Sequence, residues 1–368
     1  AVGYQALYTN TTGTRLTAVG AGALQANTTG SYSVAIGQSA LTNNTTGSNV
    51  AIGDSAMANN STGNGNVAIG TFDGSILPAL YANTTGGDNT AVGAGAARAN
   101  TTGSNNVAIG KSALYSNTTG SNNTALGYQA LFSSTVNNAT ALGFQAGYST
   151  TTAPQSTFIG YQAGYQVTTP NANTLIGYQA GYAVTTGTDN ICIGATAGKG
   201  ANPTTTGSAN VYIGSATGGS SATNNYEIAI GFNSTGKGSS TGYINPNGGG
   251  VYQGNNSSSW STTSDERIKK NFVPVTNGLE IINALEPTEF DYIVTGKHEV
   301  GFKAQQYMTV LPAQVNKHAA SPEEKAIVGE DEIYGINRNL DPYFVSAIKT
   351  LTAQVEQLKA ELATLKGN

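Results

Sequence analysis

The chain has 368 residues, a formal net charge of −4 and one cysteine, Cys192. Such a balance offers no basic stripe for neutralising phosphates, so nucleic acid is excluded as an expected partner. No apolar run is long enough to span a bilayer, and a lone cysteine excludes an intrachain disulfide framework.

Charge and glycine divide the chain near Trp260. Residues 1–260 hold five basic and five acidic side chains and 42 of the 48 glycines, whereas the last 108 residues hold eleven basic and fifteen acidic ones. The first part is a repeat. Gly3, Gly20, Gly37, Gly53, Gly70, Gly93, Gly110, Gly127, Gly143, Gly160, Gly177, Gly194, Gly214 and Gly231 recur mostly 17 residues apart, each ending a phrase such as Val-Ala-Ile-Gly. A unit this short buries nothing alone and needs stacked neighbours to form a core. Residues 1–231 are therefore expected to form a β-solenoid rod, with each phrase a short strand.

The residue before each glycine is Val, Ile or Leu, and the residue three before it is β-branched, from Thr17, Val34 and Val50 to Val211 and Ile228. Side chains two apart share a strand face, so these two columns are expected to point inward as the core. The intervening column is mostly Ala, enlarging to Phe158, Leu175, Cys192 and Tyr212 in four late coils. It is expected on the outer face, kept thin for identical chains around a symmetry axis, with the enlargement marking a wider or repacked end. Cys192 reads as a packed small apolar residue or, with the axis on that face, as a point where copies meet. Asn-Thr-Thr-Gly or Asn-Ser-Thr-Gly, ending at Gly13, Gly30, Gly47, Gly63, Gly86, Gly103 and Gly120, reads as a corner, because Asn and Gly tolerate positive φ and Asn caps local backbone. The same triplets are formal glycosylation acceptors, and a Thr-rich solenoid also raises ice binding; the corner role and the inward Thr column weigh against both.

Asn-Asn-Val-Ala-Ile-Gly (105–110) and Ser-Val-Ala-Ile-Gly (33–37) resemble the head repeats of YadA-type trimeric adhesins, and Gly-Tyr-Gln-Ala-Leu (127–131) resembles variants in tail-fibre proteins. That resemblance implies a left-handed parallel β-roll, trimerised along its axis. Two further features stand out in the rod. Phe144, Tyr148, Tyr161, Tyr165, Tyr178 and Tyr182 recur at equivalent positions, to stack on one another or on host sugar rings. The long interval between Gly70 and Gly93 holds Phe72, Ile76 and Leu77, a candidate receptor contact or a loop tucked against a neighbouring chain. The rod's acids fall at unrelated repeat positions, so no carboxylate pair of a glycan hydrolase emerges. No cofactor and no metal site is expected. The chain opens within a repeat, at Ala1-Val2-Gly3, so an N-terminal attachment region joining other virion or fibre proteins is expected outside it.

Residues 232–260 read as a Gly/Ser/Asn-rich neck and 261–368 as a small α+β domain. In its final helix, 342–366, Asp341 suits the N-cap and Pro342 the first turn. Phe344, Ile348, Leu351, Val355, Leu358, Leu362 and Leu365 then alternate spacings of four and three, a coiled-coil seam. Ser264-Asp265-Glu266-Arg267-Ile268-Lys269, Gly301-Phe302-Lys303-Ala304-Gln305, Leu311-Pro312-Ala313-Gln314-Val315 and Tyr334-Gly335-Ile336-Asn337 together resemble the intramolecular chaperone domain, peptidase family S74, of phage tailspikes and tail fibres. That resemblance implies self-cleavage at Thr263-Ser264, with Ser264 as nucleophile and Lys269 as general base, after homotrimer assembly. The expected whole is an extracellular fibre segment on a virion, binding a host receptor or glycan. Alternatives are a bacterial surface adhesin and, more weakly, a glycan-degrading tailspike or an ice-binding solenoid.

Overall fold

The computed structural model describes residues 1–152, 154–169, 171–200, 202–246, 250–254, 261–262, 270–293, 296–320, 322–336 and 340–366. Two compact units divide at Thr263/Ser264. The chain is mainly β: a parallel β-solenoid of about thirteen turns, then a small α+β region that ends in a helix.

Thirteen strands of three or four residues, β1 (Thr17–Val19) to β13 (Ile228–Gly231), pair in parallel with their chain neighbours, each residue against its counterpart one repeat on. The sheet continues beyond the repeat. β14 (Gly242–Asn245) pairs in parallel with β13, and β15 (Val251–Gln253) and β16 (Ser261–Thr262) add antiparallel edges, so the stretch expected as a neck extends the same sheet.

The strand faces are the reverse of the expectation. The alanine column, Ala35, Ala51, Ala68 and Ala108 among others, is wholly buried, while Ile36, Ile69 and Leu126 of the column before the glycine remain 37–40 % exposed. Thr17 and Thr124, expected to point inward, lie on that exposed face as well. Alanine is required inside because the interior is narrow and crowded from the other walls. A second alanine column (Ala40, Ala56, Ala96, Ala113) and a leucine column (Leu24, Leu41, Leu114, Leu131, with Met57) project into it from the turn that follows each strand.

The late bulky residues fit the same interior by exchange of volume. Where the strand carries Phe158, Leu175 or Cys192, the leucine column becomes Gly164, Gly181 and Gly198, and Gly147 one coil earlier also borders Phe158. A β-carbon on Gly164 would stand 2.4 Å from Phe158, and one on Gly198 2.6 Å from Cys192 Sγ. Phe158, Leu175, Cys192 and Tyr212 are therefore core residues rather than a widened outer end, and Cys192 lies inside its own chain. Burial pushes its thiol pKa up to about 12, which keeps it protonated and unreactive.

The glycine that defines the repeat is dictated by stacking. Gly110 has φ +128°, and a β-carbon there would lie 2.5 Å from the carbonyl oxygen of Gly127 in the next coil. Corners bury their asparagines. Asn100 donates from Nδ2 to Gly103 O at 2.9 Å, the expected local cap, and also to Asn83 Oδ1 of the preceding coil at 2.8 Å. This chain of amides runs from Asn10 to Asn117. With Asn27, Asn44, Asn60, Asn83, Asn100 and Asn117 fully buried, these acceptor triplets hold their amides inside the wall. A second buried file, which the sequence reading missed, includes Asn49, Asn66, Asn89, Asn106 and Asn123 and takes each next backbone N–H as well. Its signal was the recurring Asn four residues before the glycine.

The C-terminal unit contains α1 (Gly278–Ala284), a hairpin of β17 (Thr288–Asp291) and β18 (His298–Gly301), α2 (Ala304–Val310), a pair of β19 (Val315–Ala319) and β20 (Glu332–Ile336) enclosing α3 (Pro322–Val328), and α4 (Asp341–Lys366). Ile281, Leu285, Tyr307, Leu311 and Leu340 form its core. Gly278 lets α1 lie directly on α4, with its N–H donating to Ser346 Oγ at 3.3 Å. The helix α4 begins at Asp341, one residue before the expected start; in its first turn that carboxylate favours the positive end of the helix dipole.

Candidate functional site

Three surfaces and one sequence segment carry the functional expectations. The insert between Gly70 and Gly93 is clasped to the rod. Asp73 Oδ1 accepts from the N–H groups of Ser75 and Ile76, and Asp73 Oδ2 meets Lys111 Nζ at 2.8 Å. The Lys111 ammonium, followed by those backbone donors, pulls the Asp73 carboxyl down to about 2. Ile76 and Leu77 are half-buried, Ile76 lying over Gly95, and Phe72 is exposed. Of the three residues expected as a contact, Phe72 alone is presented outward.

The second surface is the strand face. Val, Ile, Leu and Thr side chains stand there in unbroken register along the sheet, an apolar file that no part of the described chain covers. The helix α4 repeats this condition. Ser346 and Ala347 are buried against the unit's core, yet Phe344, Ile348, Leu351, Val355, Leu358, Leu362 and Leu365 are all exposed. An exposed heptad seam in a helix about 39 Å long is matched to association with other helices.

The third surface carries the aromatics, and they form two ladders. Tyr128, Phe144, Tyr161 and Tyr178 stack at 5.1–5.3 Å. Tyr115, Phe132, Tyr148, Tyr165 and Tyr182 stack at 4.9–5.2 Å, closed by cations at both ends: Arg98 over Tyr115 at 5.0 Å and Lys199 over Tyr182 at 5.0 Å. Between the ladders Gln129, Gln145, Gln162 and Gln179 bond amide to amide, and Lys199 Nζ donates to the last, Gln179 Oε1, at 3.0 Å. Inner rings spend their faces on one another, so along the ladders a sugar would meet only ring edges.

At the solenoid's end Glu227 takes the place of an asparagine and is fully buried. Its carboxylate accepts from Tyr212 Oη (3.1 Å), Ser220 Oγ (3.2 Å), Asn224 Nδ2 (3.1 Å) and the N–H of Gly238 (2.7 Å), while its own N–H donates to Asn210 Oδ1 (2.9 Å). Such saturation ties the last turns together around one side chain. Among the described residues no His, Cys, Asp and Glu cluster could hold a metal, and no helix is long and apolar enough to cross a membrane.

The expected cleavage residues Thr263, Ser264 and Lys269 lie outside the described residues. The comparison with known families bears on them. Residues 264–316 match Peptidase_S74, described as chaperone of endosialidase. Among curated proteins and among solved structures, none matches the chain. The match begins at Ser264, where the second compact unit also begins, and it supports a self-cleaving chaperone module there.

Proposed function

We propose that the chain is a segment of a homotrimeric fibre of the phage or virus tail type, serving attachment to a host surface and matured by its own C-terminal chaperone. The observation that carries this reading is the chaperone-family match starting at Ser264, immediately after a β-solenoid. The two uncovered apolar files support the trimer. Both the strand face of the rod and the α4 seam have the composition of interiors, and further copies of this chain would cover them along their whole length. The alanine face, buried within each chain, is withdrawn as the trimer contact.

The cleavage reading assigns Ser264 as nucleophile and Lys269 as base. Ser264 Oγ passes its proton to the Lys269 amine and attacks the Thr263 carbonyl carbon. The Thr263–Ser264 C–N bond breaks, the Ser264 amine takes up a proton, and an ester links Thr263 to Ser264 Oγ. Water then hydrolyses the ester, restoring the Ser264 hydroxyl and leaving a carboxylate on Thr263. A lysine serves as base only when neutral, and burial in an assembled site favours that form. Cutting would thereby follow folding.

Denaturing gels of wild type, Ser264→Ala and Lys269→Ala test the chemistry, and native mass tests the assembly. The wild type is expected to yield a rod fragment ending at Thr263 and a chaperone fragment, both variants to stay full length, and the uncut variant to weigh three chains. A wild type that never cuts removes the catalytic assignment. A monomeric mass removes the trimer.

A further inference from the structure

The exposed aromatic ladder has a gap. The position directly after each repeat glycine runs Tyr128, Phe144, Tyr161, Tyr178, then Ala195 and Ser215, then Phe232. Backbone bonding keeps this column in register across the gap: the N–H of Thr196 donates to Tyr178 O, that of Ala216 to Ala195 O, and that of Asn233 to Ser215 O. Two rings are thus missing from a file that resumes, and about three coil spacings, roughly 15 Å, separate the Tyr178 and Phe232 positions. The ring bordering the gap is more open than its inner neighbour, with Tyr178 53 % exposed against 43 % for Tyr161, and Phe232 is 70 % exposed.

Polar groups flank the gap on one side. A cleft of ≈ 410 Å³ adjoins it, lined by Thr196, Lys199, Gly200, Ala216 and Asn233. Among the described residues the Lys199 ammonium meets the Gln179 amide and the Tyr182 ring, both neutral. Small residues at Ala195, Gly200 and Ala216 make the room, and Thr196, Asn233 and Lys199 supply a hydroxyl, an amide and a cation beside it.

We propose that this interruption is a saccharide-binding slot, with pyranose rings stacked in the places of the two missing aromatic rings. A pyranose has apolar C–H faces, suited to Tyr178 and Phe232 as end walls, and a rim of hydroxyls, suited to the polar groups of the cleft. The slot is two ring layers deep, so it accepts a short stretch of an oligosaccharide. The inference deepens the attachment reading and rests on it, because it names the ligand class and the place.

The test uses the whole chain and defined probes: immobilised maltohexaose, cellohexaose and chitohexaose, and the acidic hyaluronan hexasaccharide. Retention of at least one probe is expected. The variant Ala195→Tyr/Ser215→Tyr continues the ladder with residues this column already carries, so it fills the slot without disturbing the coil; retention should fall at least tenfold. Phe232→Ala removes one wall and should weaken retention severalfold, as should Lys199→Gln. No retention of any probe, or equal retention by the filled variant, overturns the proposal. Failure of the fibre reading shows separately, as a monomeric mass and an uncut wild type, neither of which depends on sugar.

Discussion

The two units solve the problem of a small interior in opposite ways. The solenoid multiplies one weak solution: a coil such as that of Ala108 contributes a few alanines, a leucine and two buried asparagines, and ladders of amides and rings carry like contacts to the next coil. The C-terminal unit gathers single large residues, Tyr307 and Leu311 among them, around one core, then extends a helix whose apolar seam stays exposed. Repetition makes the rod tolerant of local change and indifferent to register, since a slip by one coil meets nearly the same partners. The C-terminal unit has instead contacts that occur once and repeat nowhere.

The largest effect expected from breaking this contrast is on the helix. Leu351→Asp with Leu358→Asp puts charges in the exposed seam, and under the fibre reading native mass should fall from three chains to one. The rod's strands should remain visible by circular dichroism, because their interior is untouched.

Next is the volume exchange within the solenoid. Gly164→Leu drives a side chain into Phe158 and should cost about 1–3 kcal/mol in denaturant unfolding, as overpacked cores do. Phe158→Ala alone should cost about 3–5 kcal/mol. The double variant recreates the Ala and Leu arrangement of coils such as Ala108 with Leu114 and should lose much less than the sum of the two single losses. Simple additivity would show that the two positions do not share one space.

A smaller loss is expected from the amide file. Asn106→Ala leaves Gly120 O without its buried donor and the N–H and Nδ2 of Asn123 without the Oδ1 acceptor they share, while Asn89 Oδ1 keeps the backbone N–H of residue 106. It should cost about 1–3 kcal/mol in the same denaturant unfolding. Exposed Asn105 beside it, changed to Ser, should be nearly silent.

The smallest concerns the clasp of the insert. Asp73 titrates at about 2 because Lys111 and two backbone N–H groups favour its charged form. With its folded pKa below the ordinary 3.8, the clasp stabilises fully above pH 4 and is lost as pH falls through about 2. Carboxyl carbon shifts should record that low midpoint, and Lys111→Met should return it toward 3.8. Both groups are exposed, so global stability should scarcely move.

Much of this was legible in the residues. The period of the glycines specified stacked coils, the alternation of strand residues specified two faces, and the Asn-Thr-Thr-Gly phrases specified corners. The stacked aromatics followed from their equal repeat positions, as did the helix seam from its heptad. The roles proposed for Ser264 and Lys269 rest on a resemblance, since five residues of spacing alone suggests no dyad, and both lie outside the described residues. Phe72, Ile76 and Leu77 shared one apolar loop on paper, but the Asp73 clasp leaves two of them half-buried.

The sequence by itself determined that a buried face and an open face alternate along every strand; which was which only the tertiary structure decided. A period of two is symmetric between the faces, and the larger apolar residues made the natural choice for an interior. What reversed that choice lies outside the strand. Leucines, alanines and two files of asparagine enter the same narrow space from the other walls of the coil, and beside them a strand side chain must be as small as alanine unless the opposing leucine has first become glycine.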